Sequence, residues 1–263
     1  MDLQAICFKV CEITDSVGVF IQEQSLKINQ DVVEEKSQNS LVTYVDKTAE
    51  KQLVQALEQL IPESGFITEE ETVSKKGDIY NWIIDPLDGT TNYIHGVPCY
   101  CISIGLMRND TLILGVINEL NLKEKFYAWE NSKAYLNGKE IKVSSNNQLK
   151  DALLATGFPY YDYNKMDEFM ELLKVFMKET RGVRRLGSAA TDLAYVACGR
   201  FDGFYEYGLN PWDVAAGAFI IQQAGGIVKD FKGENNYLFG DDIMACSPGI
   251  YNEFIKRIKS HFN

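Results

Sequence analysis

Asn81-Trp82-Ile83-Ile84-Asp85-Pro86-Leu87-Asp88-Gly89-Thr90-Thr91-Asn92 is the stretch on which the reading of this chain turns. Its first four residues are mostly β-branched or aromatic and run into an acid followed by proline, which predicts a buried strand ending at Asp85. Pro86 fixes its own φ and biases Asp85 towards an extended backbone, while Gly89 permits a sharp reversal and close approach of a ligand to the main chain. Asp85 and Asp88 can therefore converge on one tight turn. Carboxylate oxygens with no histidine or thiolate in the pattern suit Mg²⁺ or Mn²⁺ better than zinc. Thr90 and Thr91 are favoured helix-start residues, so the N–H groups of Gly89 and Thr90 could open a helix and face a phosphate. Taken alone, the same letters also read as an ordinary Asp-Gly turn with a capping threonine behind it.

Upstream of this stretch, apolar residues at three- and four-residue steps from Leu3 to Ile21 predict an amphipathic helix over 2–28, and Asp31 to Lys36 reads as a charged connector. Leu41-Val-Thr-Tyr-Val-Asp46 leads into a helix over Lys47–Leu60, with Asp46 in the position of its N-cap. Pro62 and Gly65 end that helix, and a short strand Phe66-Ile67-Thr68 runs into Glu69-Glu70-Glu71, acids that ordinarily belong to a solvated loop. Downstream, Cys101–Met107, Thr111–Asn118 and Glu124–Trp129 read as antiparallel strands, with hairpin turns at Asn109-Asp110 and Asn137-Gly138. A strand over 151–157 precedes a helix over Met166–Lys178. The small-residue turn Leu186-Gly187-Ser188-Ala189-Ala190 opens a helix reaching Cys198, and a strand Phe201–Glu206 follows. Pro211 sets Asp213 in the first turn of a helix closed by Gly225-Gly226, where an acid also complements the helix dipole. A last amphipathic helix spans about 250–258.

The 263 residues are 46% hydrophobic and 24% charged, enough for a large core in one compact domain over 1–263 or in two tightly joined lobes, about 1–150 and 151–263. A net charge of −11 argues against a basic nucleic-acid face. The six cysteines show no Cys-x-x-Cys pair, and the N-terminus does not resemble a signal peptide, which predicts reduced thiols and a cytoplasmic protein. No apolar run approaches the ~20 residues of a membrane span. Phosphate-binding glycine loops and nucleophile elbows are absent, and His95 and His261 are the only histidines, so acid clusters are the chemistry on offer.

Trp82-Ile-Ile-Asp85-Pro86-Leu87-Asp88-Gly89-Thr90-Thr91-Asn92 and Trp212-Asp213-Val-Ala-Ala-Gly217, with Gly225-Gly226 behind, together resemble the two signatures of the inositol monophosphatase family. The resemblance runs from about Leu41 to Gly226. It implies an α/β fold, a layered αβαβα sandwich of the sugar-phosphatase type, and usually a homodimer. It implies hydrolysis of a small phosphate monoester, first of all myo-inositol monophosphate, with fructose-1,6-bisphosphate or a nucleoside 3′,5′-bisphosphate as the alternatives. A regulatory binding scaffold that keeps the fold is the reading from a different class. Two or three Mg²⁺ ions, or Mn²⁺, would be held by Glu69, Asp85, Asp88, Asp213 and the Leu87 carbonyl. Li⁺ would compete with them. Thr90, supported by Asp46 and with Glu69 as the third catalytic residue, would orient the attacking water. Asp88, Gly89, Thr90, Gly187, Ser188, Ala189, Glu206 and Asp213 would line the substrate. Thr68 stands where the family usually has glycine, so the register between Glu69 and Glu70 stays open at this point.

Overall fold

A computed structural model describes residues 1–25, 33–37, 40–159 and 163–262, leaving aside the side chains of 33–43. The first helix, α1 (Leu3–Ser25), buries Cys7, Val10, Thr14, Val17 and Ile21, the stripe that its three- and four-residue periodicity predicts. Residues 33–36, read above as part of a connector, belong to β1 (Val33–Ser37), antiparallel to β2 (Ser40–Thr43); Asp31 and the Lys36 side chain lie outside the described residues. A two-stranded ribbon needs no alternating apolar face, so a charged sequence gives little sign of it.

The helix α2 (Tyr44–Leu60) follows β2 without a gap. Asp46 is therefore in its first turn and is not its N-cap, which corrects the sequence reading. Preference for Asp as a cap is overridden here by a helix that continues straight out of a strand.

Seven strands make the larger sheet: β3 (Gly65–Thr68), β4 (Tyr80–Asp88), β5 (Cys101–Arg108), β6 (Thr111–Glu119), β7 (Glu124–Trp129), β8 (Ala134–Leu136) and β9 (Lys139–Ile141), in sequence order. Only β3 and β4 run parallel; the remaining pairs are antiparallel. Asn109 (φ 53°) and Asn137 (φ 48°) adopt the left-handed backbone that tight hairpins demand. The smaller sheet has the order β11-β10-β12-β14-β13, built from β10 (Leu153–Thr156), β11 (Gly182–Arg184), β12 (Gly203–Tyr207), β13 (Ile227–Lys229) and β14 (Asp242–Cys246).

Between the sheets lie α5 (Ala189–Ala197) and α6 (Pro211–Gln223), packed on each other and on both sheets. Val214 to Ile221 are all buried, and a helix apolar all round its axis belongs between two layers. The approach is close: a Cβ on Gly115 of β6 would stand 2.7 Å from the Ala216 carbonyl oxygen. The helices α1 and α2 cover the outer face of the larger sheet around Trp82, Ile84, Ile104 and Val116. The short α3 (Thr90–Ile94) follows β4, while α4 (Met166–Glu179) and α7 (Tyr251–Lys259) enclose Phe176, Tyr205 and Phe254 on the outer side of the smaller sheet. The order is α, β, α, β, α, as the resemblance implies.

One strand differs from its sequence reading in a way that matters for the site. β4 does not stop at Asp85 but continues to Asp88, with Asp85 opposite Ser103 and Asp88 opposite Cys101. Three steps along β4 thus face two along β5, a bulge in the ladder. Pro86, which has no N–H to give, sits in the irregular segment.

Candidate active site

The bulge delivers Asp85 and Asp88 from the larger sheet, and the first turn of α6 delivers Asp213 from the layer between the sheets. One carboxylate oxygen from each of the three lies within 4.8 Å of the others. Each acid is also fastened by the protein. Leu87 N–H donates to Asp85 Oδ1 at 2.9 Å. Asp88 Oδ2 accepts from Ser188 Oγ at 2.6 Å and from the Ala190 N–H at 2.7 Å. Asp213 Oδ2 accepts from the Asn210 N–H at 2.7 Å, half of a reciprocal capping box at the start of α6. Burial, and then repulsion from Glu69, Asp88 and Asp213, pushes the Asp85 carboxyl well above the usual carboxylate range. Asp213 is pushed up by burial and by Asp88 and Glu69, and Asp88 by burial, partly offset by its bonds from Ser188 and Ala190. Acids crowded in this way are stabilised by a cation among them. The donor set, hard oxygens alone, fits Mg²⁺.

The cluster opens on a cavity of about 130 Å³. Of the residues expected from sequence, Glu69, Asp88, Gly187, Ser188, Ala189, Glu206 and Asp213 form its wall, and Asp85 adjoins it through the acid cluster. Glu69 reaches the cavity because the loop after β3 is clamped from behind. Glu50, fully buried on α2, accepts from the Glu70 N–H at 2.8 Å, the Thr72 N–H at 2.8 Å and the Thr72 hydroxyl at 2.6 Å. Glu69, not Glu70, is the glutamate lining the cavity. Glu206 is 5% exposed, and burial with repulsion from Asp213 raises its carboxyl well above the usual range.

Asp46, Leu87, Gly89 and Thr90 stand outside that wall. Thr90 Oγ1 donates to the Leu87 carbonyl at 3.0 Å, which joins the turn of β4 to the start of α3. Gly89 takes φ 94°, and a Cβ there would be 2.9 Å from the Cys99 carbonyl oxygen and 3.3 Å from that of Gly187. The two glycine turns therefore face each other. Asn92 fixes their spacing by donating to the carbonyls of Cys99 and Leu186, both at 2.8 Å. Asp46, 2% exposed, lies near enough to add to the rise that burial and Tyr100 give the Tyr93 phenol.

Four residues of this neighbourhood received no role from the sequence: Glu50, Gly157, Arg185 and Asp192. The signal for Glu50 was its place on the apolar stripe of α2, beside Asp46, Leu53 and Leu57 at helical steps. A Cβ on Gly157 would fall 1.9 Å from Glu206 Oε1, so any larger residue there has to displace the Glu206 carboxylate. Arg185 and Asp192 line the cavity on either side of the small-residue turn, and a single sequence holds no mark of that. The six cysteines are all free thiols. Among the described residues, no helix is long and apolar enough to cross a membrane.

The geometry can be set beside known proteins. The model of the inositol monophosphatase family matches residues 3–261. A Neisseria meningitidis protein named putative Nus factor SuhB is 42% identical over 227 residues, covering 86% of this chain and 87% of that protein. An inositol-1-monophosphatase of Mesorhizobium japonicum is 37% identical over 225 residues, 85% of each. The crystal structure of the extragenic suppressor protein SuhB from Bartonella henselae superposes with a TM-score of 0.90 at 33% identity, covering 97% of this chain and 98% of that one. With both acid-bearing signatures on one cavity and a match over nearly the whole length, the chain belongs to the inositol monophosphatase family.

Proposed function

We propose that the protein hydrolyses a small phosphate monoester in a metal-dependent reaction, with myo-inositol monophosphate as the substrate that fits best. The observation carrying this reading is the convergence of Asp85, Asp88 and Asp213 beside a cavity whose wall also holds Glu69 and Glu206. Glu69, Asp85, Asp88, Asp213 and the Leu87 carbonyl would hold the Mg²⁺ ions, two or three of them, and Li⁺ would inhibit by competing there. Bound Mg²⁺ would polarise the phosphoryl oxygens and lower the pKa of a coordinated water.

The chain's own groups do the rest. The Thr90 hydroxyl gives its hydrogen to the Leu87 carbonyl, so its lone pairs are left to accept from a water and orient it, with Asp46 as the supporting acid. Gly187, Ser188 and Ala189 line the cavity and would meet the phosphate side of the substrate, with the Gly89 turn packed against theirs. Asp88 is held by Ser188 and Ala190, which keeps its free oxygen aimed at the same place. Glu206 accepts a hydroxyl of the leaving polyol. A homodimer in the cytoplasm is the setting of this reading.

Fructose-1,6-bisphosphate and a nucleoside 3′,5′-bisphosphate are the competing substrates. A supplementary binding role has one observation behind it, the Nus factor name borne by the Neisseria relative. The deciding experiment offers the purified protein inositol, sugar and nucleotide phosphates with Mg²⁺ and then with EDTA. Inositol 1-phosphate should release phosphate fastest and EDTA should abolish release. Full-rate release by chelated protein would overturn the metal-dependent reading.

A further inference from the structure

One oxygen of a carboxyl group on the cavity wall has no hydrogen-bond partner among the described residues. Asp192, in the first turn of α5, is 1% exposed, and its Oδ1 accepts no hydrogen bond. Its charged neighbours on the same wall are Glu206 and Asp88, which repel it, and Arg185, which attracts it. Burial and that repulsion push the Asp192 carboxyl well above the usual range. An architectural role does not account for it. The start of α5 is already capped by Ser188, whose Oγ accepts from the Thr191 N–H. An acid serving the helix dipole does so from an exposed position equally well. Buried polar groups without partners are rare in native folds, and those that persist call for an explanation in function.

We propose that Asp192 is a substrate-binding residue, which with Glu206 forms a paired-carboxyl subsite for the hydroxyl groups of an uncharged polyol and turns away a second phosphate. This rests on the phosphate-monoester reading above. Hydroxyl donors supply what the buried oxygen lacks, and a site built to accept them penalises a leaving group without them. An anion entering between two acids meets like charge in a poorly solvated place. Arg185, whose guanidinium carbon lies 5.3 Å from the centroid of the Phe158 ring, bounds the subsite and limits the repulsion between the acids.

The test compares wild type, Asp192→Ala and Asp192→Asn on inositol 1-phosphate, 4-nitrophenyl phosphate and fructose 1,6-bisphosphate. It also measures the thermal shift that free myo-inositol gives each protein. In Asp192→Ala, kcat/KM for inositol 1-phosphate should fall about tenfold or more beyond any loss on the aryl phosphate, mostly through KM. The shift with free inositol should disappear. Asp192→Asn keeps the shape and one acceptor while removing the repulsion, so it should raise the ratio of bisphosphate to monophosphate turnover. It also carries the comparison if the alanine variant does not fold. Equal losses on all three esters, or none, would overturn the assignment. Should wild type hydrolyse none of them, the phosphatase reading fails separately. The inositol shift then decides: lost in Asp192→Ala, the subsite stands, and retained there or absent from wild type, it falls.

Discussion

Replacing Glu50 by alanine removes the acceptor that serves two main-chain N–H groups and one hydroxyl in the loop that presents Glu69. Bonds to a charged acceptor contribute roughly 1.5–3 kcal/mol each, and a buried donor left without a partner costs about 1–3 kcal/mol. The three donors are only partly buried, so water can serve some of them after the change. A net loss of about 3 kcal/mol is therefore expected. For a chain of this size that lowers Tm by roughly 6–12 °C. Glu50→Gln keeps the shape and one acceptor oxygen but turns an amide group towards a donor, so about half the loss is expected. Released from behind, the loop should hold Glu69 less firmly, and the Mg²⁺ concentration for half-maximal activity should rise several-fold. Thermal unfolding in EDTA measures the first effect, and a Mg²⁺ titration of phosphate release the second. A Glu50→Ala protein melting within about 2 °C of wild type would refute the clamp.

Asp213→Asn should lower turnover by about a hundredfold or more at saturating Mg²⁺, yet raise Tm in EDTA because it removes one of the crowded, mutually repelling acids; a lower Tm in EDTA would contradict the electrostatic account. Gly157→Ala should act on Glu206, whose Oε1 would lie 1.9 Å from the new Cβ, raising KM for inositol 1-phosphate about tenfold, with an unchanged KM counting against Glu206 as a substrate contact. In EDTA, stability should fall as pH rises. Asp85, Asp192, Glu206 and Asp213 have folded-state values well above their ordinary ones, so the folded chain binds more protons than the unfolded one. Their contribution is complete below about pH 4 and is lost as pH climbs through the raised values. Melting curves from pH 5 to 8 should show the decline with EDTA and a flatter profile with Mg²⁺, and a Tm rising with pH in EDTA would be the contrary result.

Asp85, Asp88 and Asp213 were legible because their chemistry is local: acids beside proline and glycine at a turn, and an acid after Asn-Pro-Trp at a helix start. The hairpins at Asn109 and Asn137 were legible for a similar reason, since few residues tolerate positive φ. What the letters hid depends on neighbours distant in sequence. Asp192 looks like any acid in a helix until the cavity places Glu206 beside it. Proline usually ends a strand, so Pro86 concealed a bulge that carries β4 on to Asp88. The α2 start at Tyr44 defeated the capping rule because a strand feeds it directly. The layered order of helices and sheets came from family resemblance, although the uniformly apolar run Val214–Ile221 was a sign of a helix covered on every side.

The anchoring of the three central acids has a consequence for which ions the site prefers. Asp85 commits Oδ1 to the Leu87 N–H, Asp88 commits Oδ2 to Ser188 and Ala190, and Asp213 commits Oδ2 to the Asn210 N–H. Each hydrogen-bonded oxygen has part of its accepting capacity taken, so a cation there would be gripped more readily by one oxygen of each carboxylate than by both arms. Ca²⁺, with its six to eight ligands and its use of two-oxygen chelation, is poorly served by such a set. Mg²⁺ asks for six near-octahedral contacts and keeps several of its waters. By committing one oxygen of each carboxylate to its own backbone and side chains, the fold would favour Mg²⁺ over Ca²⁺ at the proposed site through denticity, before size is considered.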